Sequence, residues 1–409
     1  MTRRALAPVL MVPALALSAC AGTGSSSTSP DATTSAASSA VESTGSGNAA
    51  SERASAPGPA SPSAASSPSC RSLAEGLDIT QKVGQLFMVA TTGATFDPDL
   101  RQVVEEFGIG SVLYLGQPPK GVGQVASMSA RIQTAAGEVP IMVAVDQEGG
   151  QVQRLTGTGF GDIPSAAAQS ELSPSDLTAK WTTWGKQLHT AGVRYDLAPV
   201  ADLVPADKTS YNAPIGQLSR GYGSDEQTVA TNLGAVIEGL HEAGIVTSAK
   251  HFPGIGRVEQ NTDFAAATDS VTTGDDVATF AAAIAAGTDS IMVGSVKYDK
   301  IDPGVHAVFS RKIVTELLRD KLGWQGVVIS DDIGAAAAVS DVPAAERGLR
   351  FIEAGGDIAI NADAATMDDM VEAMLAKAQQ DQAFAATLDD HVERVLELKS
   401  KAGLLECSR

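Results

Sequence analysis

The chain has 409 residues, 44% of them hydrophobic, and a formal net charge of −19. That is enough apolar material for one large domain or two ordinary ones, while the excess of anions excludes nucleic acid and a polybasic hold on lipid, because phosphate is repelled. Three cysteines and five histidines exclude a cysteine-rich zinc module and a disulfide-dense miniature scaffold, and place any chemistry on the 48 carboxylates.

The N-terminus reads as an export signal. Arg3 and Arg4 form a positive end, and the apolar run from Ala5 to Leu17 is too short to span a bilayer. Leu17-Ser18-Ala19-Cys20 resembles the lipobox of bacterial lipoproteins. That resemblance implies a signal peptide over residues 1–19, diacylglycerol on the sulfur of Cys20, and a lipid-anchored protein on the extracytoplasmic face of the cell membrane. The open alternative is plain secretion, with Cys20 discarded. Residues 20–69 form a Ser-, Ala- and Pro-rich tether. Between Ala21 and Ser69 there is no aromatic residue, and the only charges are Asp31, Glu42, Glu52 and Arg53. Such a segment cannot bury enough apolar surface to offset its ordering entropy, so it is expected to be disordered and to hold a domain away from the membrane.

Cys70 and Cys407 bracket the rest. Exported chains meet oxidising conditions and the termini of a compact domain often lie close, so a Cys70–Cys407 disulfide is expected around a folded domain spanning 70–409. Within it, short apolar runs alternate with longer helical patterns. The strand-like runs are Gly84–Ala90, Ile109–Leu115, Ile141–Asp146, Val193–Val200, Ile245–Ala249, Ser290–Val296, Gly326–Ser330 and Asp357–Asn361. They lack polar alternation, as parallel strands covered on both faces do. Helical patterns at Asp225–Ala243, Gly274–Ala286 and Arg311–Lys321 separate several of them, and a helical stretch over Asp363–Gly403 follows the last. This order predicts an α/β protein with a (β/α)8 TIM-type barrel as its single catalytic domain. A doubly wound open sheet competes, but no glycine-rich dinucleotide fingerprint follows the first strand.

In such a barrel, reactive groups sit where strands end. Asp146 ends the third run, Asp202 follows the fourth, Lys250 and His251 end the fifth, Ser295 the sixth, Asp331 and Asp332 the seventh, and Asn361 the eighth. One terminal Asp is often only a helix cap. Polar residues from six strands on one rim point to a site. The segments DQEGG with Arg154 downstream, KHFPG, and SDD, in this order, resemble glycoside hydrolase family 3, and within it the single-barrel β-N-acetylglucosaminidases; the likeness covers almost all of 75–403.

The resemblance implies a retaining mechanism in which Asp331 is the nucleophile and forms a covalent glycosyl-enzyme. Asp332 is expected to serve the loop. Lys250 and His251 are expected to hydrogen-bond sugar hydroxyls, Asp146 to grip those on carbons four and six, and Arg154 to supply a second contact from the same segment. Arg220, in SRGYG, matches the arginine of the family's R-S-F-G loop, although the spacing from Gly216 is longer. Glu148 is expected to hold Arg154 or its loop, and Asp202 either to reach the site itself or, the favoured reading, to orient Lys250 or Arg220. No metal or other cofactor is required.

The proton donor departs from the pattern. In this subclass a His on the loop after the fifth strand, oriented by an Asp two residues earlier, gives its proton to the leaving group. Here the loop reads KHFPGIGRVEQNTDF, with Ile255, Asn261 and Asp263 at the positions of the loop's first His, the orienting Asp and the donor His. Two readings stand open. Asp263 is itself the acid/base, which needs burial or the nearness of Asp331 to keep its proton, or Asn261-Thr262-Asp263 caps a helix and catalysis is impaired. Glu259 is a lesser candidate. The expected function is therefore a retaining exo-β-N-acetylglucosaminidase acting on β-GlcNAc-terminated glycans or muropeptides in cell-wall turnover. The alternatives are a β-glucosidase of the same family, whose usual second, acid-bearing domain has no room after Asp363, and a non-catalytic glycan-binding lipoprotein.

Overall fold

The computed structural model describes residues 68–408. The expected signal peptide, the lipidated Cys20 and the tether up to residue 67 lie outside the described residues. Among those described, parallel strands β1 Phe87–Thr91, β2 Ser111–Tyr114, β3 Met142–Val145, β4 Tyr195–Asp196, β5 Val246–Phe252, β6 Ser290–Val293, β7 Val327–Asp332 and β8 Ile358–Asn361 close into a barrel. Each pairs with its neighbours in chain order and β8 returns to β1. All eight expected strands are present, and the TIM-type barrel is the observed fold. Strand β4 is the shortest because Pro199 has no N–H for the ladder. Residues 197–200 still run beside β5, where Ser248 N–H donates to the Ala198 carbonyl at 2.9 Å.

Helices α1 Cys70–Gly76, α2 Ile79–Gln85, α3 Pro98–Phe107, α4 Val122–Gln133, α5 Pro174–Thr190, α6 Glu226–Glu242, α7 Ala278–Ala285, α8 Lys312–Lys321 (a π-type helix), α9 Ala344–Glu353, α10 Met367–Gln380 and α11 Gln382–Lys401 wrap the strands. The logic of α6 is representative. Asp225 caps it by accepting the Thr228 N–H at 2.9 Å. Val229, Leu233, Val236, Ile237 and Leu240 recur at helical spacing and are buried. Such a stripe must face the barrel, each side chain contributing about 1.5–3 kcal/mol relative to exposure. The expected single stretch over 363–403 is instead two helices. Asp381 takes an extended conformation and its carboxylate accepts the N–H groups of Ala383 and Phe384, ending α10 and starting α11.

Cys70, at the start of α1, is disulfide-bonded to Cys407, 337 residues away, with the Cα atoms 5.0 Å apart. The backbone closes the same seam, Cys70 N–H donating to Ser408 O at 2.8 Å.

The end of the barrel where strands begin is held by charge. Asp357, just before β8, is fully buried. Its oxygens accept from Arg319 Nη2 (2.6 Å) and the Val328 N–H (2.8 Å), and from Arg394 Nε (2.8 Å) and His391 Nδ1 (2.9 Å). Burial alone would raise this carboxyl; the two guanidinium groups more than offset it and hold it well below the usual carboxylate range. One carboxylate thus fastens α8, β7 and α11 together. Asp357→Ala strands two guanidinium groups that are themselves largely buried, and is expected to cost about 3 kcal/mol. Urea unfolding is the check, and a midpoint unchanged from the parent protein would refute the clamp.

Candidate active site

The opposite end, where strands finish, opens into a cleft. Asp146, Arg154, Arg220, Lys250, His251, Asp263 and Asp331 all line it. The fold therefore gathers these seven catalytic and sugar-binding candidates into one place, while the lesser acid candidate Glu259 stays outside the lining.

The segment after β3 shows how. Gln147–Gly149 pairs with Val152–Gln153 as a tight hairpin. Gly149 and Gly150 turn it with φ of 98° and 58°, and a Cβ at Gly149 would come within 2.2 Å of the Pro164 carbonyl, so no larger residue fits. The Gln147 side chain bonds both backbone groups of Leu155 at 2.9 Å, which pins the chain next to Arg154, and Arg154 and Asp146 both line the cleft. Asp146 and Glu148, two apart in extended chain, point to the same side.

That side faces Lys250. Its buried Nζ donates to Asp146 Oδ1 at 2.6 Å and lies 2.7 Å from Glu148 Oε1. Glu148 also takes a two-pronged grip from Arg220, through Nε and Nη2 at 2.7 Å each. Burial alone would raise the Glu148 carboxyl, but the charges of Arg220 and Lys250 outweigh it and leave it well below the usual range. Conversely, burial would lower Lys250, and the charges of Asp146 and Glu148 raise it above its ordinary value. Two anions and two cations lock one another, so Lys250 and Arg220 stay charged and aimed. Arg220 Nη1 also donates to the Pro214 carbonyl at 2.8 Å. The preceding Ser219 has φ of 56°, a left-handed turn that directs the arginine inward despite the longer loop.

Two expectations about partners change here. Glu148 holds Arg220 and Lys250 rather than Arg154. Asp202 orients His251 rather than Lys250 or Arg220: its Oδ2 lies 2.7 Å from His251 Nδ1, and its Oδ1 accepts the Ile255 N–H at 2.7 Å. With Nδ1–H donated to Asp202, His251 presents Nε2, which lies 3.4 Å from Arg220 Nη2, toward the cleft. Arg154 makes no ion pair or hydrogen bond through its guanidinium among the described residues, and its buried Nε is unpartnered. It is a free donor on the wall.

Asp331, the penultimate residue of β7, is pushed up to about 6. Burial is the main cause; charge on His251 pulls it down, and the nearness of Asp263 adds to the rise. Asp332 serves the loop as expected, accepting the N–H groups of Gly334 (2.8 Å) and Ala362 (2.9 Å). Ser295 and Asn361 stay outside the cleft lining. Asn361 is occupied locally, accepting the Asp363 N–H at 2.8 Å.

Asp263 stands on the loop after β5, exposed rather than buried. The Asn261 side chain accepts the Asp263 N–H at 3.0 Å, but this makes a turn and no helix follows. Neighbouring loops brace this one on both sides. Asn212 Nδ2 donates to the carbonyls of Ile255 and Val258 at 2.8 Å. Ala337 and Ala338 N–H groups donate to the Asp263 and Thr262 carbonyls at 3.3 and 3.1 Å. Glu259 is exposed and does not line the cleft.

One residue escaped sequence reading. Asp196, at the end of β4, is fully buried behind the array; Oδ1 accepts the Gln147 N–H at 3.0 Å and Oδ2 has no partner. Burial, with the charges of Asp146 and Glu148, pushes it up to about 8 against the pull of Lys250. Its burial thus favours the protonated form. An Asp inside the strand-like run Val193–Val200 was its only trace. Among the described residues no group of three or more His, Cys, Asp or Glu is disposed to hold a metal, and no helix is long and apolar enough to cross a membrane.

Comparison with known proteins places this geometry. The model of the glycosyl hydrolase family 3 N-terminal domain matches residues 78–398. The chain belongs to glycosyl hydrolase family 3. It is 31% identical over 291 residues to a β-hexosaminidase of Xanthomonas oryzae, covering 67% of this chain and 83% of that protein. Its fold is similar to that of a β-N-acetylhexosaminidase from Beutenbergia cavernae (TM-score 0.77, 43% identity, 79% of this chain and 99% of that one). A family 3 β-N-acetylglucosaminidase from Paenibacillus is also similar (TM-score 0.71, 27% identity, 82% of this chain and 64% of that one). The family 3 barrel thus spans the described residues almost from end to end.

Proposed function

We propose that this family 3 protein is a β-N-acetylhexosaminidase that removes terminal β-linked GlcNAc by double displacement, with Asp331 as nucleophile and Asp263 as acid/base. The observation that carries the reading is the presence of Asp146, Lys250 and Arg220 on the wall of the cleft that also holds Asp331, interlocked through the buried Glu148 behind them. This wall offers fixed donors and acceptors to a terminal sugar, with Arg154 free to add more. Asp331 then attacks the anomeric carbon, the bond to the leaving oxygen breaks, and Asp263 supplies that oxygen's proton. Water, deprotonated by Asp263, releases the sugar in the second step with retained configuration.

The natural substrate in this reading is a peptidoglycan fragment met outside the cell. Its support is the export signal with the Leu17–Cys20 lipobox and the Ser/Ala/Pro-rich tether to residue 69. The division into signal peptide 1–19, tether 20–69 and barrel domain 70–409 belongs to the same proposal.

The test is turnover of aryl β-GlcNAc and aryl β-glucoside side by side, with product configuration followed by NMR. The expected outcome is β-GlcNAc as first product and at least about 100-fold preference over the glucoside, as sites that pair buried polar groups with a substrate group discriminate against its loss. Preference for the glucoside would turn the reading to a β-glucosidase. Binding of GlcNAc without turnover of either would turn it to a glycan-binding lipoprotein.

A further inference from the structure

Among the described residues, folding leaves three large hydrophobic side chains notably bare: Tyr211, Phe264 and Val271. Tyr211 and Val271 stand outside the cleft lining, whereas Phe264, 81% exposed, is part of it. An uncovered aromatic ring on the wall of a cleft lined by both charged and apolar side chains is a ligand contact more readily than a packing element.

Its position in the chain identifies what it would contact. Phe264 directly follows Asp263, and the loop that carries both is braced at Asn212 and at Ala337–Ala338. A proton donor must sit at the glycosidic oxygen, and beyond that oxygen lies the aglycone. The residues beside the ring are small: Ala265 and Ala266 follow it, and Ala335 and Ala336 line the cleft from the neighbouring loop. Among the described residues the ring is left 81% exposed. The cations of the cleft are Arg220 and Lys250 of the array and the free Arg154, all on the side that would hold the terminal sugar; the lining from Asn261 to Phe264 and at Ala335 and Ala336 has none.

We propose that Phe264 is the platform of the aglycone subsite, stacking its ring against the C–H face of the second pyranose of a β-GlcNAc-terminated saccharide. The proposal rests on the hexosaminidase reading and adds the class of leaving group that the enzyme prefers. C–H groups of a pyranose carry partial positive charge, and the face of an aromatic ring carries the negative part of its quadrupole. An alkyl aglycone offers no such face. Because the ring is bare in the folded protein, trimming it removes no core packing.

The experiment compares kcat/KM for GlcNAc-β-1,4-GlcNAc, GlcNAc-β-1,4-MurNAc and methyl β-GlcNAc in the parent protein, Phe264→Ala and Phe264→Trp. The ratio of disaccharide to methyl glycoside is expected to fall by about 5–10-fold in Phe264→Ala, the range of one aromatic contact, and to be recovered in Phe264→Trp. A fall for one disaccharide alone names the sugar that stacks. A ratio unchanged in both variants overturns the proposal, as does an equal loss on all three glycosides. A calorimetric arm uses Asp331→Asn protein with and without Phe264→Ala, titrated with GlcNAc-β-1,4-GlcNAc and with GlcNAc. The disaccharide is expected to lose its affinity advantage over GlcNAc only when the ring is absent; an advantage that persists without the ring sinks the subsite. Absence of turnover by the parent protein on all three glycosides sinks the hydrolase reading instead, and the calorimetric arm still decides the role of the ring.

Discussion

Asp331→Asn is expected to reduce kcat on an aryl β-GlcNAc by about 10⁴-fold or more, while GlcNAc still binds. An amide cannot form the glycosyl ester, whereas the array of Lys250, Arg220, Asp146 and Glu148 that would hold the sugar is untouched. The same residue sets a pH limit. Attack requires the ionised carboxylate, and burial has pushed Asp331 up to about 6 from 3.8. Below about pH 6, kcat/KM of the parent protein is therefore expected to fall tenfold per unit. The stability consequence has the opposite sign. With the folded-state value above the unfolded one, the neutral carboxyl is easily accommodated below pH 3.8. That contribution is lost as the pH rises toward 6, and above it the folded protein carries a buried charge it disfavours. Asp331→Asn removes that cost and is expected to stabilise the protein at pH 7 by about 3 kcal/mol at most. Thermal unfolding at pH 4 and pH 7 measures it: the gain belongs at pH 7 and should shrink at pH 4. Retention of more than about a hundredth of parental turnover would remove Asp331 from its role. So would a slow-turnover fluorinated sugar that labels a peptide lacking Asp331.

Asp263→Ala is expected to lower kcat/KM by about 10²–10⁴-fold on glycosides with poor leaving groups, such as methyl β-GlcNAc and disaccharides. On dinitrophenyl β-GlcNAc, whose leaving oxygen needs no proton, the loss in the first step should stay within about tenfold. The contrast separates a proton donor from a residue that merely shapes the loop. Loss of the same size on both kinds of substrate would assign Asp263 a structural part, and Glu259 offers no substitute, being exposed and outside the cleft lining. Asp263 is exposed, so the burial first invoked to keep its proton is absent. Its charge does reach Asp331 and Asp332, raising both.

Two aspartates beside strands show how far a linear reading carries. Asp331 follows β-branched residues in VVISDD and Asp357 precedes them in GGDIAIN. Strand direction alone puts the first at the open rim and the second at the closed end, where it pairs with Arg319, Arg394 and His391. Chain order could not reveal those three partners, which come from helices before and after it. The same limit explains Asp202 and Glu148. Both were placed at the rim, yet their partners depend on which loops lean together over the barrel mouth. Asp196 was invisible for another reason: a single Asp in a strand-like run looks like a strand end until its burial and its empty Oδ2 are seen.

Sequence alone determined the eight-stranded barrel, because short, largely apolar runs without polar alternation have no stable place except between two apolar layers, and it determined which polar residues stand at the strand ends. Only the tertiary structure decided who holds whom. Asp202 meets His251, Glu148 bridges Arg220 and Lys250, and Phe264 stays bare beside Asp263, because distances between loops are set by the closure of the barrel and not by their separation along the chain.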